Sequence, residues 1–191
     1  AGKPTFIDKP LAPSAREGAE IFQIAREQRA PCFSASALRF SPEIVTLREV
    51  AGGRATSTHA RGPLRTEPFH PALSWYGIHI VEALYAVMGP GCRSVTCAAT
   101  SDAVKATGHW ADGRIGIVEG SGLAGAGFDV TCGQRTGRGF SYTTLVGAIG
   151  EFFVSGHPPI AAAETLEILR FIDAAAESKA RHGEAVALDA V

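Results

Sequence analysis

The sequence predicts an α+β fold, a mostly antiparallel open sheet faced by helices and preceded by a short strand–helix–strand unit. Three observations carry the prediction. The first 40 residues alternate β-type, helical and β-type patterning within the length of one parallel crossover. From Arg93 onward, short Thr/Val-bearing runs follow one another with a strong hairpin signal, Asp112-Gly113, between them. Two long helical patterns then close the chain, so strands and helices are segregated rather than alternating.

Taken in order, Pro4 to Asp8 reads as a strand cut off by Pro10. Pro13 and Ser14 open a helix whose charged face holds Arg16, Glu17, Glu20 and Arg26, and Ser14 with Glu17 is a capping-box pair. Pro31 stops it, and Cys32 to Leu38 forms a second strand. Ser41 to Glu67, broken by Gly52-Gly53 and Gly62-Pro63, reads as irregular. Ser74 to Met88 predicts a helix with the apolar stripe Ile78, Val81, Leu84, Tyr85 and Met88, ended by Gly89-Pro90-Gly91. Strands are expected over Arg93 to Val104, Lys105 to Trp110, Arg114 to Glu119, Phe128 to Cys132 and Gly139 to Tyr142. Helices follow over Thr144 to Val154 and Ala162 to Arg181.

Composition narrows the function classes. Of 191 residues, 46% are hydrophobic and 19% charged, enough for a real core. The net charge of −1 gives no global field to attract nucleic acid or an anionic membrane, so neither is expected as a partner. No apolar run approaches the ~20 residues of a membrane helix, and a cytoplasmic setting is expected. The chain opens Ala1-Gly2-Lys3 without Met, so an upstream segment is expected and an export signal there stays open. Cys32, Cys92, Cys97 and Cys132 form no Cys-x-x-Cys, and the odd spacing of Cys92 and Cys97 places them on opposite faces of a strand. Buried reduced thiols are expected, and no metal site.

Gly120-Ser-Gly122-Leu-Ala-Gly125 matches the G-x-G-x-x-G dinucleotide pattern literally. A dinucleotide site needs a helix to begin there, because the pyrophosphate rests on its N-terminal amides. Instead Phe128-Asp-Val-Thr-Cys132 follows, so the segment is read as a wide connection between strands. Ser74-Trp75-Tyr76-Gly-Ile-His79-Ile-Val-Glu82 is more informative. His79 and Glu82 share one side of a helix whose entrance carries two aromatic rings. At an early helical position the imidazole is biased toward neutrality and can act as a base, while Glu82 at i+3 can orient it. Packing alone, or a His-x-x-Glu metal pair, are the competing readings. Lys9 stands at the end of the first strand, where open α/β sheets bind ligands, with Pro10 fixing the turn behind it.

Together these segments resemble the glucose–fructose oxidoreductase / inositol dehydrogenase (Gfo/Idh/MocA) family nearly end to end. Phe6-Ile-Asp8-Lys9-Pro10 resembles its Glu-Lys-Pro motif, with Asp for Glu. Tyr76-Gly-Ile-His79-Ile-Val-Glu82 and Met88-Gly-Pro-Gly resemble its histidine-bearing helix, and Trp110-Ala-Asp-Gly-Arg114 a hairpin of its sheet. Glu164-Thr-Leu-Glu-Ile-Leu and Ala176-Glu-Ser-Lys179 resemble its closing helix. The resemblance implies an NAD(P)-dependent sugar or polyol oxidoreductase, with residues 1–40 the end of a Rossmann domain and 41–191 a substrate-binding and dimerisation domain. It implies Lys9 and His79 as catalytic residues, Lys9 and Pro10 beside the cofactor, and Trp75, Tyr76 and Glu82 around the substrate. It also implies a homodimer or higher oligomer through the open sheet face, with Ile21 and Ile24 left short of cover. Two departures stand out. Trp75 occupies the position of an acid the family often places before the helix glycine, leaving Tyr76 or Glu82 to replace it. No glycine-rich fingerprint precedes Asp8-Lys9-Pro10, so this chain by itself is expected to bind neither NAD nor NADP. A non-catalytic dimerising module and a metal-dependent lyase or isomerase using His79 and Glu82 are the alternatives.

Overall fold

The computed structural model describes residues 2–52, 55–65, 73–122 and 127–191. Two strands, β1 (Thr5–Asp8) and β2 (Cys32–Ala35), pair in parallel around helix α1 (Ala15–Glu27). Half of the expected capping box is observed: Ser14 Oγ accepts the Glu17 N–H, and the Glu17 carboxylate accepts from the Ser14 hydroxyl at 2.8 Å. Asp173, from the far end of the chain, accepts the Ala15 N–H at 2.8 Å and satisfies a further free donor of that first turn. β2 is shorter than its apolar run suggests. Ser36 turns the chain into a 3-10 segment (Ala37–Phe40) by accepting the Leu38 N–H on its side chain.

The second sheet has seven strands in the order β8-β7-β3-β6-β5-β4-β9. They are β3 (Ser57–Pro63), β4 (Cys92–Ala99), β5 (Ala103–Trp110), β6 (Ile115–Ser121), β7 (Asp129–Cys132), β8 (Arg135–Arg138) and β9 (Val186–Ala187). Every pair is antiparallel except β3–β6. The Asp112-Gly113 turn joins β5 to β6 with Gly113 in the left-handed region at φ +86°. Arg114 closes that hairpin onto Asp112 at 2.8 Å and onto the Met88 carbonyl at the end of helix α3 (Ile78–Met88).

All eleven residues of α3 are buried, beyond the single stripe that its spacing suggested. The helix lies between the large sheet on one side and α2 (Pro42–Ala51) with the 3-10 segment on the other. A helix apolar nearly all round belongs in such a place. Helices α4 (Tyr142–Ser155) and α5 (Ala162–Ala180) follow the sheet, and α5 packs on α1, β2 and β4, tying the two sheets together. Ile21 is partly covered by the main core, whereas Ile24 is 59% exposed. Among the described residues, no helix is long and apolar enough to cross a membrane.

Several expectations are corrected. The stretch expected to be irregular, Ser41 to Glu67, holds α2 and β3; Pro42 starts α2 and left-handed Gly52 ends it. The strand expected over Gly139 to Tyr142 is displaced to Arg135–Arg138, and Tyr142 already begins α4. The helix expected from Ser74 starts at Ile78, because residues 73–77 form turns. The run Arg93 to Val104 is cut by a turn at Ser101-Asp102. Cys92 and Cys97 both face the core, at 5% and 4% exposure, rather than opposite sides. A β-bulge between Cys92 and Ser94 inserts one residue and restores the face that odd spacing would have lost. Gly53, the His70 region and the Gly125 end of the glycine-rich stretch lie outside the described residues.

Candidate active site

At the C-terminal end of β1, Asp8 and Lys9 meet the turn before α3 and two loops near the sheet. They form a cleft of about 490 Å³ lined by Asp8, Lys9, Trp75, Tyr76, His79, Phe128, Phe140 and Tyr142. Lys9 Nζ donates to the Trp75 carbonyl at 3.1 Å and lies 5.5 Å from the Trp75 ring and 5.7 Å from the Tyr76 ring. The ammonium is thus held by a carbonyl and two aromatic faces. Burial lowers the Lys9 pKa, and the neighbouring Asp8 charge opposes that shift. The Lys9–Pro10 peptide is cis.

His79 stands one residue into α3 and is 4% exposed. The rings of Tyr76, Phe128 and Phe140 surround it edge-on at 5.1, 5.6 and 5.3 Å. Tyr76, Phe128 and Phe140 are themselves stacked, at 6.0 and 5.5 Å between neighbours, into one aromatic wall. Desolvation, assisted by the Lys9 charge, pushes the His79 pKa down to about 3. The imidazole is therefore neutral throughout the physiological range. Arg65 lies over the outer face of Tyr76 at 4.8 Å and brings a second cation to the rim.

Lys9, Trp75, Tyr76 and His79, singled out from sequence, thus line one cleft. Glu82 does not line it. One helical turn from His79, its carboxylate turns away to Arg39 at 2.6 Å, and Arg39 also holds Glu164 of α5 at 2.5 Å. Glu82 is 2% exposed and its pKa is raised by burial against the opposing pull of Arg39. The partner of His79 is instead Ser36, whose Oγ is 2.7 Å from Nδ1. Forty-three residues separate them, and no spacing rule links them; the sequence signal available was a Ser at the end of a strand, which reads as a turn residue. Phe128, Phe140 and Tyr142 likewise carry only a strand pattern in the sequence.

Among the described residues no three His, Cys, Asp or Glu side chains converge as metal ligands. The thiols of Cys32, Cys92, Cys97 and Cys132 are free, and burial pushes Cys92 up to about 12. His59, to which sequence assigned no partner, pairs with Glu119 at 3.0 Å on the open sheet face. Gly120 lies inside β6 beneath Leu64, Gly122 follows that strand, and no described residue there begins a helix that could receive a pyrophosphate.

No protein-family model and no curated protein matches this sequence. Solved structures do. GenD2 from gentamicin A biosynthesis, in complex with NAD, superposes with a TM-score of 0.80 at 18% identity, over 97% of this chain and 72% of that one. A putative myo-inositol dehydrogenase from Sinorhizobium meliloti gives 0.79 at 17%, over 98% and 74%. Levoglucosan dehydrogenase, in complex with NADH and L-sorbose, gives 0.75 at 15%, over 98% and 74%. The fold, α+β with a parallel unit beside an open antiparallel sheet, is thus one used by dehydrogenases. More narrowly, these neighbours are Gfo/Idh/MocA-type dehydrogenases, and this chain shares their fold.

Proposed function

We propose that the chain belongs to that family and forms the substrate-handling part of an NAD- or NADP-dependent oxidoreductase. Its substrate is a sugar, polyol or related compound carrying a hydroxyl or carbonyl group. The observation that carries this reading is the convergence of Lys9 and His79 on an aromatic-walled cleft at the carboxyl end of a parallel strand. In this reading residues 1–40 are the end of a Rossmann domain, and 41–191 the substrate-binding and dimerisation domain. Lys9 and Pro10 would stand beside the nicotinamide of a bound cofactor, which would supply the hydride acceptor or donor for the substrate carbon. Lys9 directs a cation at the substrate oxygen, favouring charge that develops there. Trp75 and Tyr76 offer flat faces for the apolar side of a sugar ring, and the Phe128–Phe140 wall excludes water. Glu82 contributes through the buried ion network beneath the site rather than by touching substrate.

The chain by itself is proposed to hold substrate without turnover, since the described residues offer no seat for a pyrophosphate. Trp75 is 38% exposed beside the cleft while Trp110 is 4% exposed, so quenching of the accessible indole reports binding. Titration with sugars, polyols and ketoses is expected to quench it in the wild type and not in Lys9→Met. Absence of any response across the panel at millimolar concentration would overturn the substrate reading. Tight NAD(H) binding or turnover by the isolated chain would overturn the division of labour. The open sheet face carries Lys105, Glu119, Arg61 and Asp129 directly opposite one another on successive strands. It is proposed to pair two or more copies in a cytoplasmic protein; a strictly monomeric species by sedimentation at micromolar concentration would refute that pairing.

A further inference from the structure

Ser36 is fully buried, and its Oγ has two polar neighbours among the described residues. One is the Leu38 N–H, which can only donate, at 3.1 Å. The other is His79 Nδ1, at 2.7 Å. If Nδ1 carried a proton, both neighbours would be donors, and the hydroxyl hydrogen of Ser36 would be buried without an acceptor. With Nδ1 unprotonated, each group is satisfied: Oγ accepts from Leu38 and donates to Nδ1. The proton of the neutral ring then sits on Nε2, the nitrogen left for the cleft that His79 lines.

We infer that Ser36 is a positioning residue that donates to Nδ1 and holds His79 as its Nε2–H tautomer, so that the ring offers the cleft a hydrogen-bond donor instead of a base. The buried network explains how Ser36 is itself held. Its backbone N–H stabilises the Glu82 carboxylate, which is locked to Arg39, which in turn is held by Glu164 of α5. Glu82 therefore orients His79 through Ser36, not by contact. The catalytic consequence rests on the proposed function. An Nε2 that already bears hydrogen cannot accept the proton of a substrate hydroxyl. His79 instead donates a hydrogen bond to that oxygen, beside the Lys9 ammonium, and both favour charge that develops there.

The test is a long-range proton–nitrogen NMR correlation on the nitrogen-labelled chain near pH 7, with the His79 signals identified by their loss in His79→Gln. The expected pattern is a protonated Nε2 and an unprotonated Nδ1 whose resonance is displaced by accepting a hydrogen bond. Ser36→Ala moves that Nδ1 resonance to the position of a free imine nitrogen, and Ser36→Thr restores it. A protonated Nδ1 in the wild type overturns the assignment, even if Ser36→Ala fails to fold; so does an Nδ1 resonance that ignores Ser36→Ala in a folded chain. These readouts need neither cofactor nor turnover. The expected tautomer in a chain that binds no sugar or polyol would count against the proposed function alone.

Discussion

Replacing Arg39 by Met tests the energetics beneath the cleft. Its side chain is 8% exposed and bridges Glu82, at 2% exposure, to Glu164, at 19%. Arg39→Met keeps much of the volume but leaves the Glu82 carboxylate buried without its counter-charge. Removing one partner of a buried pair costs about 3–5 kcal/mol, whereas replacing both by apolar groups is often near neutral. Against a typical domain stability of about 5–15 kcal/mol, that is a large fraction of the total. For a chain of this length it corresponds to a fall in Tm of roughly 6–20 °C. Urea unfolding at pH 7 measures the loss directly. The double variant Arg39→Met/Glu82→Leu is expected to recover most of it. The deficit of the single variant also shrinks toward pH 5. Burial already raises the Glu82 pKa, and without Arg39 the carboxyl takes up its proton at still higher pH. A single-variant loss under about 1 kcal/mol, or a double variant no better than the single, refutes this account of the network.

Two other predictions follow from the same site. His79 titrates near 6.5 when unfolded and about 3 when folded, so between those values the unfolded chain binds the extra proton. Stability therefore falls as pH drops through that window, by up to about 1.4 kcal/mol per unit from this residue. Unfolding free energies measured from pH 7 to pH 4 should show a shallower decline in His79→Gln, and equal declines would contradict the assignment. Gly77→Ala places a Cβ 2.8 Å from the Leu73 Cα, a backbone atom that can yield only if the turn carrying Trp75 and Tyr76 moves. A loss of about 1–3 kcal/mol is expected, with altered Trp75 fluorescence, and a variant unchanged in both would show the turn to be loosely held.

Local patterning read correctly wherever the physics is local. Ser14 caps α1, with the Glu17 carboxylate on its hydroxyl, because an N-cap bond needs four consecutive residues and nothing else. Asp112-Gly113 makes its hairpin because glycine supplies the left-handed conformation there. The failures are equally physical. The bulge at Cys92/Ser94 depends on pairing with β5 and changes which face Cys92 occupies. Tyr142 carries a β-type aromatic ring yet starts α4, where Leu145 and Phe152 find cover against Phe33 and Ile160.

The sequence alone determined the α+β class, the parallel unit at the start, and the candidate pair Lys9 and His79, because each is written in neighbouring residues. Which groups touch was decided only by the tertiary structure. Glu82 was legible as a partner for His79 from its i+3 spacing, yet α3 is buried on every side, and its carboxylate pairs there with Arg39. Ser36 and Arg39, each forty-three residues from the group it serves, come to α3 only when the 3-10 segment after β2 packs against that helix. A hydrogen bond across that distance in sequence is set by packing, and packing is settled by the whole chain at once.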